Sequence, residues 1–116
     1  MEALNYKGLI KQIILNYVNA VSGETMQPIE TQVVFDDEQG RYLVLNVGWQ
    51  EEDRVFGCAI YVEVKVDEIW IQRDFTEPGI AYQLMNFGVP ESCIMLGYRS
   101  PAIREIAAAD VTIKTV

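Results

Sequence analysis

The chain has 116 residues, of which half are apolar and 22% are charged, and its net charge at pH 7 is −8. This length suits one folded domain over residues 1–116, and the composition excludes a disordered chain. Short apolar runs and an N-terminus without a signal-like pattern predict a cytoplasmic protein without membrane contact. The acidic balance argues against strong direct nucleic-acid binding, because phosphates attract basic surfaces.

Residue types that build many catalytic and metal sites are scarce. The chain has no histidine, and its two cysteines, Cys58 and Cys93, lie in separate apolar segments. Zinc sites, haem ligation and histidine-based catalytic triads therefore lose their usual residues. We expect no cofactor, and we interpret both cysteines as small buried apolar residues rather than a disulfide or reactive thiols.

The first predicted element is an amphipathic helix over residues 3–21. Apolar side chains recur at three- and four-residue steps from Tyr6 to Val21, and Gly23 is expected to end the helix. Amide side chains fall on the opposite face: Asn5, Gln12, Asn16 and Asn19.

Four segments with the two-residue period of strands follow, over residues 29–35, 41–49, 54–66 and 69–73. Polar turns of about two to five residues join them, so they must run antiparallel, since a parallel return needs about a dozen residues. The third strand alternates Ile60, Val62, Val64 and Val66 with Tyr61, Glu63 and Lys65, which predicts one buried face.

After the fourth strand the period changes back to that of a helix. Thr76 or Glu77 is expected to cap this helix, and Gly88 is expected to end it. A short apolar piece over residues 94–96 and a helical turn near residue 101 complete the prediction. The predicted fold is α+β: a four-stranded antiparallel meander covered on one face by two helices, in a two-layer sandwich.

The sharpest enzymatic hypothesis rests on Glu63 and Lys65. A Glu-x-Lys pair on a strand is how many metal-dependent nucleases place a magnesium ligand beside a catalytic lysine, and Asp36, Asp37 and Asp53 are candidate further ligands. Positions 63 and 65 share one face of a strand, opposite the apolar face. Ordinary solvent-facing charges explain the same pattern, so the pair alone does not establish a nuclease.

Other polar and aromatic side chains are candidates for protein contact. Gln72, Asp74, Thr76 and Glu77 cluster at a strand-to-helix junction, where turn formation and helix capping account for most of them. Exposed tryptophan, tyrosine and arginine are enriched in protein interfaces. The candidate contact surface comprises Trp49, Tyr61, Gln72, Asp74, Tyr98, Arg99 and Arg104.

One run of residues is specific enough to indicate a family. Residues 70–81 read Trp-Ile-Gln-Arg-Asp-Phe-Thr-Glu-Pro-Gly-Ile-Ala. Together with Gly-Val-Pro at 88–90, Leu-Gly-Tyr at 96–98 and Pro-Ala-Ile-Arg at 101–104, this run resembles the XisI family of fdxN element excision controlling factors. The resemblance extends from the first helix to about Ala109. The family commonly has glycine in place of Phe75 and a second proline in place of Ser100.

The resemblance implies a role in programmed excision of a DNA element during heterocyst differentiation in cyanobacteria, beside a recombinase and a nuclease-like companion, XisH. It supplies no catalytic residues. We therefore expect a non-enzymatic accessory factor that contacts a XisH-like protein, with self-association left open. Two alternatives stand beside it: a magnesium-dependent nuclease using Glu63 and Lys65, and an antitoxin-like inhibitor whose acidic surface mimics DNA.

Overall fold

The computed structural model describes residues 5–21 and 28–103. Its elements in chain order are α1 (Tyr6–Val21), β1 (Ile29–Asp36), β2 (Arg41–Gln50), β3 (Asp53–Lys65), β4 (Glu68–Asp74), α2 (Ile80–Asn86), a 3-10 turn (Glu91–Cys93) and β5 (Ile94–Leu96). The strands form one sheet in the order β1-β2-β3-β4-β5. The α+β class is confirmed, and β1 to β4 form an antiparallel meander.

The prediction of only four strands was wrong, because Ile94–Leu96 pairs in parallel with β4. Between these strands the chain passes through α2 and the 3-10 turn. A crossover of that length brings the chain back in the same direction, whereas the shorter turns before it cannot. A three-residue strand is also too short to show the two-residue period that identified the other four.

The described part of the first helix begins at Tyr6, after Asn5. The side-chain oxygen of Asn5 accepts a hydrogen bond from the backbone N–H of Gly8 at 3.0 Å, which caps the first turn. The periodicity predicted Asn5 on the polar face of the helix. In the structure Asn5 precedes the helix and caps its first turn. The predicted stop at Gly23 lies outside the described residues.

Both helices lie on one side of the sheet, as predicted. α1 contacts β2 and β3, α2 contacts β4, and the two helices touch each other. We name the covered side the inner face. Its buried side chains are Tyr42, Val44, Ile60, Val62, Ile69 and Ile71, packed under Ile10, Ile13 and Ile14 of α1 and Ile80 and Leu84 of α2. Each fully buried aliphatic side chain contributes about 1.5–3 kcal/mol, so this layer stabilises the fold.

A bulge in β3 changes which residues share a side of the sheet. Val44 pairs with Ile60 but Leu45 pairs with Cys58, so Ala59 is an extra residue in β3. Odd-numbered residues after the bulge therefore share a side with even-numbered residues before it. The alternation predicted from Ile60 onward does not continue before Ala59, because the bulge places Phe56 on the side opposite Ile60.

The predicted strand position of Val66 was also wrong. Val66 lies in the two-residue turn between β3 and β4, has a φ of 55° and is 94% exposed. Two-residue hairpin turns need a positive φ at the first central residue, so turn geometry overrides the preference of valine for a strand. No helix of the described ranges is long and apolar enough to span a membrane.

Candidate functional site

The side of the sheet away from the helices carries several of the predicted contact residues, and we name it the outer face. Strand register and alternation with the buried side chains define it. It consists of Glu30, Gln32, Val34 and Asp36 of β1, Arg41, Leu43, Leu45, Val47 and Trp49 of β2, Arg54, Phe56, Cys58, Tyr61, Glu63 and Lys65 of β3, and Glu68, Trp70, Gln72 and Arg73 of β4.

The middle of the outer face is apolar. Apolar side chains of β2 and β3, joined by one residue of β1, form what we name the apolar centre: Val34, Leu43, Leu45, Val47, Phe56, Cys58 and Tyr61. On β1, Gln32 and Glu30 lie opposite Leu45 and Val47 and border the patch. Phe56 is 70% exposed and Val34 is 44% exposed, so water reaches this surface. Contiguous exposed apolar patches are typical of interaction sites.

The structure places Glu63 and Lys65 on the outer face of β3, as predicted. The Glu63 carboxylate accepts a hydrogen bond from Nε2 of Gln72 at 3.1 Å, and its other oxygen lies 3.8 Å from Nε of Arg41. Nζ of Lys65 lies 5.0 Å from the centre of the Trp70 ring. Glu63 and Lys65 thus engage different neighbours. Residues 5–21 and 28–103 contain no group of three or more carboxylate, cysteine or histidine side chains arranged to hold a metal.

Asp37 was a candidate magnesium ligand in the nuclease hypothesis. In the structure it joins the turn between β1 and β2 to α1. Its carboxylate lies 2.8 Å from Nζ of Lys11 and accepts a hydrogen bond from the hydroxyl of Tyr42, also at 2.8 Å. The bonds from Lys11 and then Tyr42 lower the pKa of Asp37. Burial, helped by the bond to Asp37, raises the pKa of Tyr42. Asp37 therefore has a structural role.

Asp74 holds the loop between β4 and α2. One carboxylate oxygen accepts hydrogen bonds from the backbone N–H and the hydroxyl of Thr76. The other accepts from the backbone N–H of Ile80, the first residue of α2, at 2.7 Å. The prediction that Thr76 or Glu77 caps this helix was wrong, because the helix begins later and Asp74 supplies the acceptor across the loop. Asp74 pairs with Ile60 of the inner face.

Gln72 links the outer face to the turn after β5. It is the extra residue of a second bulge, since Tyr61 pairs with Arg73 and Val62 with Ile71. A Cβ at Gly97 would lie 2.2 Å from Oε1 of Gln72, so a larger residue there would require the Gln72 side chain to move. The amide of Gln72 lies against the beginning of this turn and donates to Glu63.

The turn after β5 carries two of the predicted contact residues, Tyr98 and Arg99, which we name the edge pair. The Arg99 guanidinium lies 5.5 Å from the centre of the Tyr98 ring, and both residues are exposed. A matching pair stands on the outer face, where the Arg54 guanidinium lies 5.2 Å from the Trp49 ring. The last predicted contact residue, Arg104, lies outside the described residues.

The two cysteines are unbridged and half-buried, so the prediction of full burial was wrong. Cys58 belongs to the apolar centre, and its thiol donates to the backbone oxygen of Ile60 at 3.1 Å. Burial raises the pKa of the Cys58 thiol, which disfavours the reactive thiolate. Cys93 packs against the helix side of the core.

Comparison with known proteins identifies the family. The profile of the family described as XisI protein matches residues 1–110. The chain belongs to the XisI family. A solved XisI-like protein from Anabaena variabilis ATCC 29413 is 34% identical, with a TM-score of 0.79 over 87% of this chain and 91% of that one. The fdxN element excision controlling factor XisI from the same organism is 28% identical, with a TM-score of 0.76 over 85% and 94%. No curated protein matches the chain.

The resemblance to the XisI family is therefore confirmed, and the structure gives its main sequence run a physical meaning. Residues 70–81 form most of β4, the loop closed by Asp74 and the start of α2. Gly79, just before the helix, has a φ of 108°, which strongly favours glycine. In this chain the run therefore determines the shape of the loop between β4 and α2.

Sequence reasoning missed the apolar centre, although it had a signal. Residues 42–45 of β2 are apolar without interruption, a pattern typical of a strand that is covered on both sides. The contribution of β3 could not be read from the sequence. Phe56 and Cys58 are spaced from the buried Ile60 and Val62 by even numbers of residues, so only the bulge at Ala59 reveals that they lie on the other side of the sheet.

Proposed function

We propose that this chain is a non-enzymatic accessory factor that controls excision of a DNA element by contacting a XisH-like protein of nuclease fold. One solved relative is named an fdxN element excision controlling factor, which supports the excision role. The exposed Tyr98–Arg99 edge pair carries the argument for protein contact, because tyrosine and arginine together are typical of binding hot spots.

The position of the edge pair suits a partner's approach. It directly follows β5, which is the last strand in the order of the sheet. Within the described residues no further strand pairs with β5, and open strand edges bind extended segments of other proteins through backbone hydrogen bonds. The net charge of −8 favours association with a basic, DNA-acting protein. We therefore assign Tyr98 and Arg99 to the partner contact.

A pull-down of a XisH-like protein by the full chain tests this proposal. The wild type is expected to form a complex at micromolar concentration, and the double variant Tyr98→Ala/Arg99→Ala is expected to bind about tenfold or more weakly. The matched control is Trp49→Ala/Arg54→Ala, which removes the other arginine–aromatic pair while leaving the edge pair intact. This control is expected to bind like the wild type.

The outcomes separate the parts of the proposal. Absence of a wild-type complex would overturn the contact function, whereas equal loss in both double variants would overturn only the assignment to the edge pair. Binding that falls steeply with salt and competes with DNA would favour the acidic inhibitor over the accessory factor.

A further inference from the structure

The charges on the outer face cancel, although the chain as a whole is acidic. The face carries four acidic residues, Glu30, Asp36, Glu63 and Glu68, and four basic residues, Arg41, Arg54, Lys65 and Arg73. The net charge of −8 therefore arises entirely from residues off this face. Two copies of an acidic chain repel each other when their acidic surfaces meet, and the repulsion is weakest where a surface is neutral.

The basic side chains of the outer face already have partners in their own chain. Arg41 lies near Glu63, Arg54 lies over Trp49, Lys65 lies over Trp70, and Arg73 donates to the backbone oxygen of Cys58 at 2.8 Å. The charges also border the apolar centre instead of interrupting it. An apolar core with a polar rim is the usual arrangement of a protein interface, and a neutral, internally paired rim selects no partner of opposite charge.

The outer face is large enough for a stable interface. Strand and residue spacings of about 4.8 and 3.3 Å give β1 to β4 a width of about 19 Å and the stretch from Arg41 to Trp49 a length of about 26 Å. The plan area is thus roughly 500 Å², and upright side chains add accessible surface to it. This is of the same order as the roughly 800 Å² that each partner buries in a typical stable complex.

We infer that a second copy of this chain covers the outer face, with the two sheets packed face to face about a twofold axis. Twofold association places the same patch on both sides, so each apolar centre meets an identical one and each neutral rim meets a neutral rim. Sheets that pack this way lie about 10 Å apart, with strands within about 30° of each other. The edge pair lies outside the apolar centre, so this inference is independent of the proposed partner contact.

Sedimentation velocity on the full chain, from about 1 to about 100 μM, tests the inference together with the variant Phe56→Lys. Phe56 is 70% exposed, so the change disturbs the fold little. The wild type is expected to be a dimer, and the variant's dissociation constant is expected to rise about a hundredfold or more, because a twofold interface loses Phe56 from both copies. The matched control is Phe87→Lys at the end of α2, where the phenylalanine is 50% exposed.

The control carries the same charge change off the outer face, and it is expected to dimerise like the wild type. A wild type that stays monomeric at the highest concentration overturns the inference. The outer face would then be covered by another protein or by another part of the chain. A dimer that survives Phe56→Lys, or that is lost equally in Phe87→Lys, also overturns it. Circular dichroism of each variant, with Val34→Lys as a second outer-face change, separates loss of association from loss of folding.

Discussion

The two faces of the sheet differ both in composition and in surroundings. The inner face buries aliphatic side chains and Tyr42 under α1 and α2, whereas the outer face exposes an apolar centre bordered by balanced charges. Both sets of side chains come from the same strands. The difference teaches that an apolar face need not belong to the folding core: a two-layer fold needs only one covered face, and the second remains available for association.

The largest expected effect separates the faces by a matched pair of valines. Val62 is fully buried on the inner face and Val34 is 44% exposed on the outer face. Val62→Ala is expected to lower the free energy of unfolding by about 2–3 kcal/mol, because it removes two buried methyl groups and leaves a cavity. Val34→Ala is expected to change it by about 0.5 kcal/mol or less. Urea unfolding at low protein concentration measures both, and equal losses would contradict the contrast.

A smaller effect is expected at the loop between β4 and α2. Asp74→Ala removes acceptors for Thr76 and Ile80, so it is expected to cost about 2 kcal/mol of unfolding free energy. Glu77→Ala is the control, because Glu77 was predicted as a cap and is exposed; it is expected to stay within about 0.5 kcal/mol of the wild type. Thermal unfolding distinguishes the two, and a Glu77 variant as unstable as the Asp74 variant would restore the original capping prediction.

A pH-dependent effect is expected where α1 meets the turn after β1. The pKa of Asp37 is lowered in the folded chain by Lys11 first and Tyr42 next, so its contribution to stability is present above the unfolded value of about 3.9 and is lost as the pH falls through the folded value. Asp37→Asn is therefore expected to be less stable than the wild type at neutral pH and equal to it in strong acid. Unfolding between pH 7 and the acid limit measures this difference.

Lys11→Met provides the control for that pH dependence. Since Lys11 is the largest cause of the lowered pKa, the stability difference caused by Asp37→Asn is expected to shrink in the Lys11→Met background. A difference of unchanged size at neutral pH would assign the effect to another partner of Asp37.

The smallest expected effect concerns the nuclease alternative on the outer face. Because Glu63 and Lys65 engage different neighbours, a plasmid-nicking assay with magnesium is expected to show the same background for the wild type and for Lys65→Ala. The unfolding free energy of Lys65→Ala is expected to fall by about 1 kcal/mol at most, from the lost contact with Trp70. If the wild type nicks the plasmid in a metal-dependent way and Lys65→Ala abolishes this activity, the nuclease alternative is established instead.

The XisI signature illustrates how far sequence reasoning reached into the candidate site. The run over residues 70–81 identified the family, and interface statistics selected Trp49, Tyr98 and Arg99, all of which the structure exposes. The prediction assigned the cap of α2 to Thr76 or Glu77, whereas the acceptor is Asp74. Asp74 lies six residues before Ile80, whose backbone N–H it binds. Capping rules based on neighbouring positions do not foresee a bond that a loop closes.

The sequence by itself determined the two helices, the four antiparallel strands and the family, because helical and strand periods and a specific residue run are local properties of a chain. Only the tertiary structure decided the parallel pairing of β5 and the membership of the outer face. The bulge at Ala59 moved Phe56 and Cys58 to the side that carries Tyr61, and a bulge forms through pairing with a neighbouring strand rather than through local preference. The apolar centre, and with it the surface proposed for a second copy, therefore exists only once the sheet is assembled.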